Sequence, residues 1–151
     1  MSGPSSALRQ CIKESDNKRI TVRANNRSAT FLNEDKTQIK VVDLDCLIQT
    51  TAAARADYIV TKPKVVDVIV ELKGKDIDHA IEQILATAAF WKRIPPFSPH
   101  IGALVVFTRS PKRSAALDNI RLRLLKLEIW LEMGKSGLRH YEFETFTGAR
   151  K

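Results

Sequence analysis

The sequence predicts a single α/β (α+β) domain in which a central mixed β-sheet is flanked by helices. Its 151 residues, of which 44% are hydrophobic, fit one domain with one core. Two apolar, β-branched runs at 65–72 and 101–108 are typical of strands buried on both faces. Apolar residues recur at helical spacing between these runs, so the three segments predict two parallel strands joined by a helix.

The segment before this unit predicts one short helix and several strands. Leu8, Cys11 and Ile12 recur at helical spacing, which indicates a helix over 7–14. Alternating or β-branched residues predict strands at 20–24, 29–32, 38–48 and 56–60, the third of which is long enough to be bent or broken.

A proline-containing turn at 61–64 joins the strand at 56–60 to the strand at 65–72. The two strands are therefore expected to be antiparallel, which makes the sheet mixed. Counting outward from the turn places Asp57 opposite residue 68, and a longer loop or a bulge moves its partner towards residue 70. The sequence alone leaves this register open.

The second half of the chain predicts two helices and two strands. Asp76 or Asp78 can cap a helix that carries a wide apolar stripe. Helical spacing then predicts a helix over 114–132, which two glycines end, and alternation predicts a strand at 138–146. We expect residues 1–151 to form one domain, with residues 1–6 disordered.

Composition excludes several classes of protein. No run of about 18 apolar residues is present, and the first residues lack the apolar region of a signal peptide. Two cysteines, Cys11 and Cys46, are too few for a disulfide framework or a zinc site, and we interpret them as reduced thiols. The sequence therefore predicts a cytoplasmic protein that contacts no membrane.

The net charge of +8 is distributed unevenly. Residues 1–40 carry a net +4, residues 41–108 carry a net −1, and residues 109–139 carry a net +5. Basic segments around a slightly acidic centre suit a protein that attracts a polyanion and holds a metal ion. The alternative interpretation is ordinary charge that keeps the protein in solution.

Asp57 and the sequence Glu71-Leu72-Lys73 form the strongest chemical pattern. Side chains two residues apart on a strand point to one face, so Glu71 and Lys73 stand together at the end of an apolar strand. The turn brings Asp57 towards the same end. Ionisable groups in such a position are costly unless they are paired or used. The simplest alternative is a surface ion pair between Glu71 and Lys73, which stabilises little.

This set of groups suits a divalent cation. Two close carboxylates repel unless a proton or a cation lies between them, and hard oxygen ligands select Mg²⁺ or Mn²⁺. The backbone carbonyl of Leu72 would supply a third oxygen, and Lys73 would hold or deprotonate an attacking water. The pattern therefore predicts metal-assisted hydrolysis of a phosphodiester.

The segments ADYIV (56–60) and VVDVIVELKGKDIDHAIEQI (65–84) resemble the core of the PD-(D/E)XK nuclease superfamily, which includes restriction endonucleases and archaeal Holliday-junction resolvases. The resemblance spans residues 45–108 and includes an aspartate at a strand start, an E-x-K at the next strand's end and an amphipathic helix. Ala56 stands where the superfamily's name has a proline. The resemblance implies a restriction-endonuclease-like core and Mg²⁺- or Mn²⁺-dependent cleavage of DNA.

The resemblance also implies roles for individual residues. Asp57 and Glu71 would bind the metal, and Lys73 would assist the water. Gln83, on the helix, would orient a ligand or the substrate; the alternative is a solvated helix position. Glu14 would be an additional metal ligand on the first helix, and otherwise it is a surface acid.

Two groups of basic residues are candidate phosphate contacts. They are Arg109, Lys112 and Arg113 after a strand end, and Arg121, Arg123 and Lys126 on the next helix. The alternative is a solvated helix face.

We therefore expect a small Mg²⁺-dependent deoxyribonuclease, with RNA as the alternative substrate. A chain of this size has little room for a separate specificity domain, so it would act as a homodimer or be recruited by a protein partner. The alternative function is a catalytically inactive nuclease-fold module that binds nucleic acid or a protein.

Overall fold

The computed structural model describes residues 9–24, 26–47, 55–72, 76–94, 97–108, 115–137 and 140–148. The strands are β1 (Ile12–Ser15), β2 (Arg19–Ala24), β3 (Arg27–Leu32), β4 (Ile39–Asp43), β5 (Tyr58–Lys62), β6 (Val66–Glu71), β7 (Ile101–Phe107), β8 (Ile129–Lys135) and β9 (His140–Glu142). The helices are α1 (Leu44–Leu47), α2 (Ile77–Trp91) and α3 (Ala115–Lys126), and a 3-10 helix covers Phe143–Thr147.

The strands form two sheets. The larger has six strands in the order β1-β4-β5-β6-β7-β8, and the smaller has the order β2-β3-β9. The pairs from β1 to β6 in the larger sheet are antiparallel, whereas β6, β7 and β8 are parallel. The predicted α/β class with a central mixed sheet is confirmed, as is the helical connection between the parallel strands β6 and β7.

The large sheet is the middle of three layers. Side chains that alternate along β6 belong to two different apolar clusters. Ile69 packs with Ile84 of α2 and Leu124 of α3 on one face. Val68 packs with Phe31 of the small sheet on the other face. This alternation explains why β6 is apolar along its whole length.

Helix α2 forms as predicted. Its N-cap is Asp76, whose side chain accepts hydrogen bonds from the backbone N–H groups of Asp78 and His79. The apolar stripe of the helix is buried against the large sheet, and Ile84 is completely inaccessible. The cap and the stripe together fix the start of α2 at Ile77.

Three predicted elements at the ends of the chain are wrong in type or length. Residues 9 and 10 of the helix predicted over 7–14 are helical, but residues 12–14 belong to β1 because their backbone pairs with β4. The helix predicted over 114–132 ends at Lys126. Glu128 adopts φ 61°, in the left-handed region that breaks a helix, and the following residues pair with β7 as strand β8. Within the described part of the strand predicted over 138–146, only β9 is extended, and a 3-10 helix begins at Phe143.

The segment predicted as a long strand at 38–48 is broken, as its length suggested. Strand β4 ends at Asp43, and α1 follows at once. The carboxylate of Asp43 accepts a hydrogen bond of 3.2 Å from the backbone N–H of Cys46, which stabilises this short helix.

The two cysteines form a disulfide, so the prediction of reduced thiols is wrong. The Sγ atoms of Cys11 and Cys46 are 2.08 Å apart, and the Cα atoms are 5.6 Å apart. Strand β1 pairs with β4, and α1 directly follows β4, so both cysteines arrive at the same edge of the sheet. This proximity depends on the strand pairing, which the number of cysteines does not reveal.

In the part of the chain that the structure describes, no helix is long and apolar enough to cross a membrane.

Candidate active site at the ends of strands β5 and β6

Asp57 is fixed directly before β5 by three hydrogen bonds. Its backbone N–H donates to the carbonyl of Val70 over 3.0 Å, and its own carbonyl accepts from the N–H of Leu44 over 3.2 Å. Its carboxylate Oδ2 accepts from the N–H of Leu72 over 2.7 Å. The side chain of Asp57 is therefore oriented against the end of β6.

Glu71 is the last residue of β6 and is completely buried. Tyr58 pairs with Val70, so Asp57 and Glu71 occupy the next positions on the two neighbouring strands. Glu71 alternates with Ile69 and so points to the face of the sheet that α2 covers. The two carboxyl-bearing residues lie side by side at one end of the hairpin.

The turn between β5 and β6 explains this register. Lys62 pairs with Val66, so the loop has three residues, and its central residue Lys64 adopts φ 70°. Counting residues outward from the turn at 61–64 predicts that Asp57 lies opposite residue 68, or nearer residue 70 if the loop is longer. The left-handed conformation of Lys64 permits the three-residue loop, which moves the partner of Asp57 to the end of β6.

Lys73 lies outside the described residues, so its role in assisting a water stays a prediction. Leu72 is described: its side chain is buried in the cluster beneath the small sheet, and its N–H is the donor to Asp57. The assignment of its carbonyl as a metal ligand also stays a prediction.

Gln83 is a buried residue that binds the backbone leading into β5. Only 7% of its surface is exposed, and its Nε2 donates to the carbonyl of Arg55 over 2.9 Å. One turn later, the Thr87 hydroxyl accepts from the N–H of Ala56 over 2.8 Å and donates to the carbonyl of Gln83 over 2.7 Å. The alternative of a solvated helix position is therefore wrong. Gln83 and Thr87 position the residues that precede Asp57, and direct contact of Gln83 with a substrate stays a prediction.

Glu14 lies far from this site. It stands on β1, not on a helix, and its carboxylate pairs with the Lys40 ammonium over 3.1 Å. Its position corresponds, through Lys40 and Thr61, to Asp67 of β6. Asp67 precedes Glu71 by four residues, so Glu14 is about 13 Å away along the strands and about 14 Å away across them. The prediction of Glu14 as a metal ligand is wrong, and it is a surface acid.

The predicted phosphate contacts are only partly described. Arg109, Lys112 and Arg113 lie outside the described residues. Arg121 donates to the carbonyl of Leu131 over 2.9 Å, which holds α3 against β8. Arg123 and Lys126 are exposed.

Lys126 lies at the end of the large sheet opposite to the Asp57–Glu71 site. It precedes Ile129, which begins β8 and is level with Asp67 through β7. The site lies at the other end of β6. The fold therefore places Lys126 away from the candidate site.

Asp67 and Lys62 are charged residues in the core that sequence reasoning missed. Burial raises the pKa of Asp67, while a 2.7 Å hydrogen bond from Trp91 Nε1 acts to lower it. The Lys62 ammonium lies 3.0 Å from a carboxylate oxygen of Asp35 and 2.9 Å from one of Glu144. Burial acts to lower the pKa of Lys62, but hydrogen bonds to Glu144 and Asp35 raise it overall. The sequence signal for these two residues is a charged residue within, or next to, an otherwise apolar strand.

The candidate site offers two carboxylates, those of Asp57 and Glu71, as donors for the predicted ion. Among the described residues, no group of three or more His, Cys, Asp and Glu side chains is arranged to hold a metal. Mg²⁺ is commonly held by one or two carboxylates, with water and substrate phosphates as its remaining ligands. The neighbouring carboxylates of Asp57 and Glu71 fit this smaller set.

Comparison of the chain with protein-family models, curated proteins and solved structures finds no match. The resemblance to the PD-(D/E)XK superfamily therefore stays an interpretation of the sequence pattern.

Proposed function

We propose that the protein is a metal-dependent nuclease of the PD-(D/E)XK type that hydrolyses phosphodiester bonds of DNA. The observation that carries the proposal is the placement of Asp57 and Glu71 side by side at the ends of two paired strands. Asp57 is held there by backbone hydrogen bonds from β6, and Glu71 by the strand itself. Such preorganisation of charged groups is what an ion-dependent hydrolase requires.

In this proposal, Asp57, Glu71 and the Leu72 carbonyl would hold Mg²⁺ or Mn²⁺. When bound, the ion lowers the pKa of water and neutralises charge on the phosphate. The N–H of Leu72 fixes Oδ2 of Asp57 in advance. Gln83 and Thr87 fix the backbone before Asp57, so α2 supports the position of this carboxylate. Lys73 would orient or deprotonate the attacking water from the adjoining position.

The net charge of +8 supports a polyanionic substrate, with DNA preferred and RNA as the alternative. A homodimer or a recruiting partner protein would supply target selection. The sequence predicts a cytoplasmic location. The disulfide of Cys11 and Cys46 instead favours an oxidising compartment, because such bonds persist mainly there.

A second candidate function is a catalytically inactive module that binds nucleic acid or a protein. The observation that favours it is the complete burial of Glu71, since a catalytic carboxylate must reach its ion or substrate. Metal binding distinguishes the two candidates: calorimetry with Mn²⁺ should give heat of binding for the wild type and not for Glu71→Gln.

Cleavage of supercoiled, linear and branched DNA in Mg²⁺ or Mn²⁺ tests the proposal directly. Asp57→Asn, Glu71→Gln and Lys73→Ala should each lower the rate by at least about 100-fold, because each removes a group that acts on the transition state. Glu14→Gln is the matched control and should cut at the wild-type rate. Thermal unfolding should show that the near-isosteric Glu71→Gln remains folded. Equal cutting by all variants, or none by the wild type on any substrate, would reject catalysis.

A further inference from the structure

Helix α3 and the residue after it expose a group of leucines. Within the part of the chain that the structure describes, three large hydrophobic residues are exposed: Leu122 by 56%, Leu125 by 45% and Leu127 by 45%. Leu122 and Leu125 lie on α3, and Leu127 directly follows it. Single exposed apolar residues are ordinary on folded proteins, but their concentration in one segment is typical of a surface that another molecule covers.

Leu122 points away from the core of its own chain. Leu124 is buried in the apolar cluster between α3 and the large sheet, and Ile120 packs against the same cluster. A helix turns by about 100° per residue, so each of these two side chains lies about 160° around the helix from Leu122. Leu125 lies only about 60° from Leu122 and three residues along, so the two exposed leucines are neighbours on one apolar surface.

Opposite charges flank Leu122 on this surface. Asp118 precedes it by four residues and Lys126 follows it by four, and both side chains are exposed. Each lies about 6 Å from Leu122 along the helix axis and about 40° from it around the helix, in opposite directions. The pattern is therefore self-complementary. A second α3 turned end over end about Leu122 brings its own Lys126 level with Asp118 of the first.

We infer that this surface of α3 binds a second copy of the chain, with the two helices antiparallel and meeting at Leu122. The two Leu122 side chains contact each other at the two-fold axis, and Leu125 of each chain extends the apolar contact. Asp118 of each chain pairs with Lys126 of the other, so symmetry forms the ion pair twice. Any apolar partner covers leucines, but the reversal of charge about Leu122 is what a copy of the same helix matches.

The inference does not rest on the proposed nuclease activity, because no part of it involves DNA or a metal ion. It gives Lys126 a role other than the phosphate contact predicted from sequence, in agreement with its position away from the Asp57–Glu71 site. Two helices of 12 residues bury less surface than a standard protein interface. We therefore expect a dissociation constant of about 1–100 μM.

Sedimentation equilibrium between about 1 and about 300 μM protein tests the interface. The wild type should pass from monomer to dimer within this range. Leu122→Glu should raise the dissociation constant at least about 10-fold, because it removes the central apolar contact and brings two carboxylates together. Leu122 is exposed in its own chain, so thermal unfolding should show that the variant remains folded.

Charge reversal tests the pairing of the two helices. Asp118→Lys and Lys126→Asp should each raise the dissociation constant about 10-fold, because two attractive pairs become repulsive. Mixed in equal amounts, these two variants should form heterodimers with nearly wild-type affinity, since each supplies the charges that the other lacks.

Arg123→Asp is the matched control for charge. Arg123 is exposed on α3 but lies about 100° around the helix from Leu122. The variant changes the net charge by the same amount as Lys126→Asp, yet it should dimerise like the wild type.

Three results would overturn the inference. The first is a wild type that stays monomeric up to about 300 μM. The second is dimerisation that Leu122→Glu leaves unchanged, which would place the interface elsewhere. The third is failure of the two charge-reversed variants to associate when mixed, which would exclude the antiparallel pairing.

DNA binding and cleavage provide separate outcomes. Weaker DNA binding by Lys126→Asp, with dimerisation unchanged, would overturn the inference in favour of the predicted phosphate contact. A dimer that follows the expected pattern in a protein that cuts no DNA would support the interface and reject the proposed nuclease. Cleavage by a protein that is monomeric at every concentration would overturn the interface and leave the nuclease proposal intact.

Discussion

Removal of the disulfide is expected to lower the stability of the protein substantially. The bond of Cys11 and Cys46 joins residues 35 positions apart. The chain-entropy relation for a loop of this size gives about 4 kcal/mol at 25 °C. A chain of 151 residues has an unfolding entropy of about 0.3 kcal/mol/K, so the loss corresponds to a fall of about 12 °C in Tm.

The measurement is thermal and urea unfolding of the wild type with and without a dithiol reductant. The double variant Cys11→Ser with Cys46→Ser should unfold at the temperature of the reduced wild type. The reductant should have no effect on this double variant, which controls for other actions of the reagent. Thiol titration of the unfolded, unreduced wild type should detect no free thiol.

An unchanged Tm after verified reduction would refute the loop-entropy reasoning. It would mean either that contact between the segments of β1 and β4 persists in the unfolded chain and already restricts it, or that the disulfide does not lower the entropy of the unfolded chain. Free thiols in protein purified without reductant would refute the disulfide itself and restore the prediction made from the sequence.

Three further predictions concern buried or capping polar groups. Burial raises the pKa of Asp67 above 3.8, so the wild type should gain unfolding free energy as the pH falls through that raised pKa. Asp67→Asn should lack this gain when unfolding at about pH 7 and about pH 4 is compared. Asp76→Ala should lower the unfolding free energy by about 1 kcal/mol through loss of the α2 cap, whereas Asp78→Ala, which caps nothing, should change it little. Gln83→Leu should lower the unfolding free energy measured in urea by about 1–3 kcal/mol, because the part-buried hydrogen bond to the carbonyl of Arg55 loses its donor; a wild-type midpoint would contradict this.

The central part of the fold could be predicted because its patterns are long and agree with one another. The two apolar runs that form β6 and β7 predict buried strands. The apolar stripe of α2 and its N-cap both indicate the same helix. The turn also brought Asp57 towards the end of β6 at which Glu71 lies, but it left the register of the two strands open. The register of β5 and β6 depends on the left-handed conformation of Lys64, which the presence of a lysine in the sequence does not indicate.

The ends of the chain were harder to predict because tertiary contacts decide them. Residues 127–132 have helical spacing, but pairing with β7 selects a strand once Glu128 has broken the helix. The helical pattern at 7–14 is too short to keep residues 12–14 in a helix when their backbone can pair with β4. Long-range pairing therefore overrode local preference in both places.

Contacts between the layers of the protein could not be predicted from local sequence patterns. The hairpin of β2 and β3 contacts Tyr58 and Thr108, which are distant from it in sequence. The pattern of β2 and β3 indicates a hairpin and exposed arginines. It contains no information about the end of the large sheet against which that hairpin packs.

The separation of the core into two clusters by the large sheet gives the protein two internal optical reporters. Trp91 lies in the cluster beneath the helices, and Trp130 packs at the cluster beneath the small sheet. The chain has no other tryptophan. Replacing one tryptophan with phenylalanine leaves an emission signal from a single layer, so the order in which the two layers lose their packing can be followed without an added dye.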